Sequence, residues 1–200
     1  VAPRAPGERP FWSRFQRGIG LVDDTVVVND ERAVEMLVHI ADELCDKQVQ
    51  WALGLQDKGA MVVDQTQRRI TAQGGEASVL LDFGAAKASR KGVQVENVRV
   101  SLMWPGDAFD MGERRVRFAA GKSIHGSNAT LPMERETDAL APGVVRRMMG
   151  RLADSAVGST LAADLPGGRL LILTRDAETI AFRPLAEGEG NPGAKLEIKV

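Results

Sequence analysis

The chain has 200 residues, 44% of them apolar and 26% charged, with a formal net charge of −1. These values fit a globular chain able to bury its own core, and they exclude a global positive field that would draw it onto nucleic acid or an anionic membrane. The one cysteine, Cys45, excludes an internal disulfide and a cysteine-based zinc site and fits a reducing compartment, the cytoplasm.

Residues 1–20 hold three Pro, three Gly and four Arg and read as a flexible basic and aromatic arm. Within it, "RPFWSRFQR" sets Phe11, Trp12 and Phe15 among Arg9, Arg14 and Arg17. Trp and Arg dominate interface hot spots, so these residues are candidates for partner binding. Residues 21–200 read as a single α+β domain. A repeated order of helix, glycine, apolar strand, polar turn and strand divides it into two pseudo-equivalent halves, about 21–120 and 121–200.

"DTVVVND" predicts a strand at 25–28, with Asn29 or Asp30 capping a helix behind it. Apolar residues at Val34, Leu37, Ile40, Ala41, Leu44, Trp51, Ala52 and Leu55 keep the 3.6-residue period and predict that helix from Glu31 to about Leu55. Its opposite face carries Glu35, His39 and Glu43, four residues apart. They read as a solvated acidic face on which the basic arm can dock; a divalent-metal site is the sharper alternative.

After Gly59 the period turns strand-like, predicting strands at 60–64, 68–73 and 77–83, then 93–104 with a bulge at Glu96-Asn97, then 114–120. Residues 121–141 read as a long loop. Pro142 opens a second helix with Val145, Met148, Met149, Leu152 and Ala156 as its buried stripe and Arg147, Arg151 and Asp154 facing out. Strands at 169–175 and 179–185 read as a hairpin, and 194–200 as a last strand. The expected fold is α+β: a largely antiparallel sheet of about eight or nine strands packed with two amphipathic helices.

Three motifs carry chemistry. "VLLDFG" resembles the metal-binding strand of protein kinases at Asp82, Phe83 and Gly84, but the glycine-rich loop, the V-A-I-K lysine and the H-R-D catalytic loop are missing. It reads as a core strand running into a glycine turn. Gly121-Lys122-Ser123 matches the tail of a phosphate loop, yet Val116 stands where the first glycine is required. The 121–128 loop sets Lys122, Ser123, His125 and Ser127 together as nucleophile and base candidates, without a G-x-S-x-G elbow. Arg68-Arg69, Arg114-Arg115-Arg117 and Arg146-Arg147-Arg151 form local basic clusters. With 4% aromatics and no tyrosine, stacking platforms for nucleic acid are scarce.

No catalytic or cofactor set is complete. The expectation is therefore a soluble, cofactor-free, non-catalytic binding or assembly protein acting through protein–protein contacts, self-association included. The alternatives are a hydrolase using the 121–128 loop, a pocket between helix and sheet that holds a small ligand, and a degenerate kinase-like regulatory domain.

Overall fold

The computed structural model describes residues 22–30, 32–46, 48–56, 58–88, 95–125, 129, 131–132, 135–179, 181–184 and 195–199. In chain order the elements are β1 (Thr25–Asn29), α1 (Ala33–His39), α2 (Ala41–Asp46), β2 (Trp51–Leu55), β3 (Gly59–Asp64), β4 (Arg69–Gly74), β5 (Ser78–Asp82), β6 (Lys87–Ala88), β7 (Val95–Glu96) and β8 (Val98–Met103). They continue as β9 (Ala108–Asp110), β10 (Arg115–Arg117), β11 (Lys122–His125), β12 (Arg135–Glu136), α3 (Val144–Ala153), β13 (Thr160–Leu165), β14 (Arg169–Thr174), β15 (Ala181–Pro184) and β16 (Lys195–Lys199).

The chain is sheet-rich α+β, with three described helices. The expectation of one sheet of eight or nine strands is corrected: the strands divide among four sheets. The largest runs β1-β2-β5-β8-β16-β14-β13-β12, beside a four-stranded sheet β10-β9-β4-β3 and the pairs β11-β15 and β6-β7. β1 runs parallel to β2, with α1 and α2 between them in sequence, and β12 runs parallel to β13 across α3; the other pairs of the large sheet are antiparallel.

The expected helix over 31–55 is also corrected. α1 ends at His39, α2 at Asp46, and Gln48 takes a left-handed backbone (φ 58°) that turns the chain back. Trp51–Leu55 then enters the large sheet between β1 and β5. The misreading has a physical cause, since this stretch is covered on both faces. Ala52 packs with the helices, while Trp51 and Leu53 pack against Ile70, Ala72 and Phe109 of the four-stranded sheet. Val79 and Leu81 of β5 likewise face the helices and Leu80 the smaller sheet. A strand buried on both sides loses its apolar–polar alternation.

Gly54 lets α1 lie close to β2. A Cβ there would stand 2.3 Å from Val79 Cγ1 and 2.9 Å from the Ala33 Cβ. The two sheets are tied by Arg114, whose guanidinium stacks 4.0 Å over the Trp51 ring, pairs with the buried Asp82 carboxylate and donates to Gln50 Oε1 at 3.2 Å. Trp51 and Asp82 are direct cross-strand partners, so one arginine serves both.

The slip at Glu96-Asn97 is a change of sheet rather than a bulge within one strand: Asn97 has φ 62°, β7 pairs with β6, and β8 pairs with β5. The hairpin expected between 169–175 and 179–185 is corrected as well. β14 pairs with β13 through the turn Pro166-Gly167-Gly168, and β15 pairs with β11.

The second helix forms over most of its expected stripe, as α3 from Val144 to Ala153, with Pro142 ahead of it and Ala156 past its end. Gly143 takes φ 75° and starts α3, and Val144, Val145, Met148, Met149, Leu152 and Ala153 are buried. Both ends of α3 meet a charge of favourable sign. At the start, the Gly143 N–H donates to Glu35 Oε1 at 3.0 Å. At the end, Arg175, 6% exposed, donates to the Leu152 carbonyl at 3.3 Å, to that of Ala153 at 2.8 Å, and to that of Ser155.

Candidate functional site

α3 presents a second stripe beside its buried one. Gly143, Arg146, Arg147 and Gly150 are spaced at i, i+3, i+4 and i+7, which puts them along one side of a helix. They line a cavity of about 300 Å³ whose opposite wall is Ala77, ahead of β5, with Leu102 and Trp104 at the end of β8. Two residues of this lining also hold a donor with no hydrogen-bond partner among the described residues, Trp104 Nε1 and Arg146 Nε, each atom closed off from open space. An unpaired buried donor costs about 1–3 kcal/mol, so two beside one cavity is a substantial opposing term. Gly150 adds to it. A Cβ there would meet nothing within 4 Å, and a glycine inside a helix costs up to about 1 kcal/mol relative to alanine.

Behind the cavity, burial pushes the Glu35 carboxyl up from its ordinary range, against the N–H donors of Glu35 and Gly143 and the charges of Arg146 and Arg32. The expected solvated face through Glu35, His39 and Glu43 is corrected accordingly. Glu35 is 3% exposed. His39 closes α1, with Arg169 Nη2 3.4 Å from its Nδ1, and Glu43 belongs to the separate helix α2. The break at Ile40 removes the continuous helix on which the four-residue spacing relied. Among the described residues, no group of three His, Cys, Asp or Glu is placed to hold a metal ion.

The other candidates are engaged in the fold or lie outside the description. Lys122 Nζ bonds both oxygens of Asp107 at 2.6 Å, and the Trp104 and Ala119 N–H groups, each at 2.9 Å, complete that carboxylate. Lys122 is thereby committed to an ion pair and is not poised as a base. Ser123 and His125 sit in β11 opposite Arg183 and Ala181 of β15, which corrects the reading of 121–128 as loop throughout. Ser127 lies outside the described residues, as do Arg9, Phe11, Trp12, Arg14, Phe15 and Arg17. Asp82 is occupied by Arg114 and by the Gly84 N–H at 2.8 Å. Gly84 is needed for that pairing, since a Cβ would stand 1.9 Å from the Arg114 guanidinium carbon.

A larger cavity, about 470 Å³, is lined by Arg99, Arg114, Arg115, Glu113, Phe118 and Glu178 among others. Its charges are largely paired within the fold, Arg99 with Glu178 and Arg114 with Asp82.

Comparison with protein-family models and with curated proteins gives no match for this chain. Sequence reasoning marked Arg146 and Arg147 only as a basic cluster. The signal it passed over was the pair of glycines flanking them at helical spacing; Trp104 joins them by tertiary folding alone.

Proposed function

We propose that the protein is a non-catalytic binding protein whose ligand site is the cavity between α3 and the ends of β5 and β8. The observation that carries this reading is the cavity itself, lined by Arg146 and Arg147 of α3 and faced by Ala77, Leu102 and Trp104. The cavity volume stands at the lower end of small-molecule pockets, where an apolar lining with a few polar groups is usual. The commitment of Lys122 to Asp107 and of Asp82 to Arg114 supports a role without catalysis at those two residues.

The test is a thermal-shift panel of small metabolites on the wild-type chain and on Gly150→Leu. A ligand of the cavity raises the wild-type melting temperature and leaves the variant unmoved, because the new side chain occupies the open space in front of α3. Equal rises in both, or no rise with any compound, removes the cavity as the site.

A second reading, assembly through protein–protein contact, is favoured by β1. Among the described residues it is the outer strand of the large sheet, rich in valine, and Val27 is 52% exposed. Edge strands of this composition pair readily with another chain. Native mass spectrometry of the wild type and of Val27→Lys tests it: a complex or dimer lost in the variant supports the contact, and a wild-type monomer refutes self-association.

A further inference from the structure

β1 turns half of its backbone hydrogen bonding away from the fold. The Asp24 carbonyl accepts from the Trp51 N–H at 3.2 Å, and the Asp30 N–H donates to the Leu55 carbonyl at 3.1 Å. Backbone groups alternate sides along a strand, so Val26 and Val28, the even positions between these two, bond β2 as well. Thr25, Val27 and Asn29 then point their N–H and C=O groups outward, where no strand pairs with them among the described residues. Such a row of open backbone groups beside an exposed valine is a template for an added strand.

Charge selects the occupant. Asp23 and Asp24 are exposed at one end of the strand. At the other end the Asp30 carboxylate accepts the Arg32 N–H at 2.8 Å, and Arg32 itself follows two positions on, so the acidic excess lies at the Asp23-Asp24 end. A second copy added about a two-fold axis at Val27 would bring Asp24 opposite Asp30 at both ends of the new ladder. Like charges directly opposite one another destabilise a strand pair. A segment carrying a cation would instead meet the Asp23-Asp24 end with favourable charge, while an apolar residue covered Val27.

We infer that the open edge of β1 takes an extended peptide segment of a partner protein, with an apolar residue against Val27 and a lysine or arginine against Asp23 and Asp24. The backbone ladder supplies the affinity, and the acidic end supplies the choice of partner. The inference rests on the reading of β1 as a contact strand.

The experiment titrates the isotope-labelled full chain with two peptides blocked at both ends, KVTVTVK and EVTVTVE, and follows the backbone amide resonances of β1. In the free chain the Val27 and Asn29 N–H groups are expected to exchange with solvent faster than those of Val26 and Val28. KVTVTVK is expected to shift and slow Val27 saturably and to bind about tenfold more tightly than EVTVTVE at low salt, the gap closing as salt rises. Asp23→Asn together with Asp24→Asn is expected to remove that gap; both residues are exposed, and asparagine suits the φ of 50° at Asp24. If that variant does not fold, the comparison of the two peptides on the wild type decides alone. Equal binding of the two leaves β1 a contact strand and overturns the cationic partner. Shifts confined to Asp23 and Asp24, with Val27 exchange unchanged, overturn strand addition. A dimer of the free chain that protects Val27 makes the partner a second copy, and a free monomer in which Val27 is already protected has no open edge; each overturns the assignment. Amides of β1 that neither peptide moves overturn both the assignment and the contact reading.

Discussion

Replacing Lys122 by methionine tests whether its ammonium serves the fold. Asp107 is fully buried, and Lys122 is only 14% exposed with its Nζ 2.6 Å from the carboxylate. Removing one member of a buried ion pair costs about 3–5 kcal/mol, because the other charge is left without compensation. Asp107 would keep the Trp104 and Ala119 N–H groups, so the loss belongs at the lower end, about 3 kcal/mol. For a chain of this size each kcal/mol moves the melting temperature by about 2–4 °C, which sets a drop of about 6–12 °C. Urea unfolding followed by tryptophan fluorescence measures the free energy directly. Adding Asp107→Asn in the Lys122→Met background is expected to recover part of the loss, since a neutral amide is cheaper to bury than a lone carboxylate. A loss under about 1 kcal/mol, or no recovery in the double variant, would refute the assignment.

Three further outcomes follow from the packing. Gly54→Ala drives a methyl into Val79 and Ala33 and is expected to cost about 1–3 kcal/mol; in urea unfolding, Val79→Ala should cost less in that background than alone. Arg175→Met strips three carbonyls at the end of α3 of their shared donor and is expected to cost about 2–4 kcal/mol, with early amide exchange in the last turn of the helix. Glu35 has its folded pKa raised above the unfolded value, so the folded state binds the extra proton. Its contribution is present below the unfolded pKa and declines as pH rises through the folded one. Glu35→Gln should flatten that decline in stability measured between pH 4 and pH 8, and an unchanged profile would show that Glu35 is not its source.

Several parts of the fold legible in the sequence are exposed on one side, while β5, covered on both, is legible from its short apolar run. β3, whose residues alternate between more and less exposed positions, and α3, with its apolar stripe, stand close to where periodicity places them. β2 escaped because both of its faces are covered. β13 alternates cleanly, with Leu161, Ala163 and Leu165 inward, yet "TLAADL" is poor in β-branched and aromatic residues and carries little strand propensity. The pairing of β14 with β13 and β16, rather than with β15, is a tertiary choice that no local pattern records. The same limit applies to the candidate site. The stripe Gly143, Arg146, Arg147 and Gly150 is visible in the sequence once the glycines are counted with the arginines. Its facing wall, Ala77, Leu102 and Trp104, comes from strand ends that only the folded sheet brings near. Three of the residues that read as metal-binding or catalytic are engaged within the fold. Asp82 and Glu35 are buried and Lys122 is half-buried, and each is matched by a partner distant in sequence: Arg114, Gly143 and Asp107.

The place of β16 sets the timetable of biogenesis. Residues 195–199 form the strand between β8 and β14, pairing Leu196 with Val100 on one side and Ile198 with Leu173 on the other. On the ribosome, β8 is made long before the strand that seals it, and until then β8 and β14 each offer an open backbone edge to any passing extended segment. A nascent chain halted before residue 195 would carry two partial sheets with unzipped inner margins. Those two open edges are where a synthetic peptide of sequence KLEIK is expected to compete with the chain's own last strand.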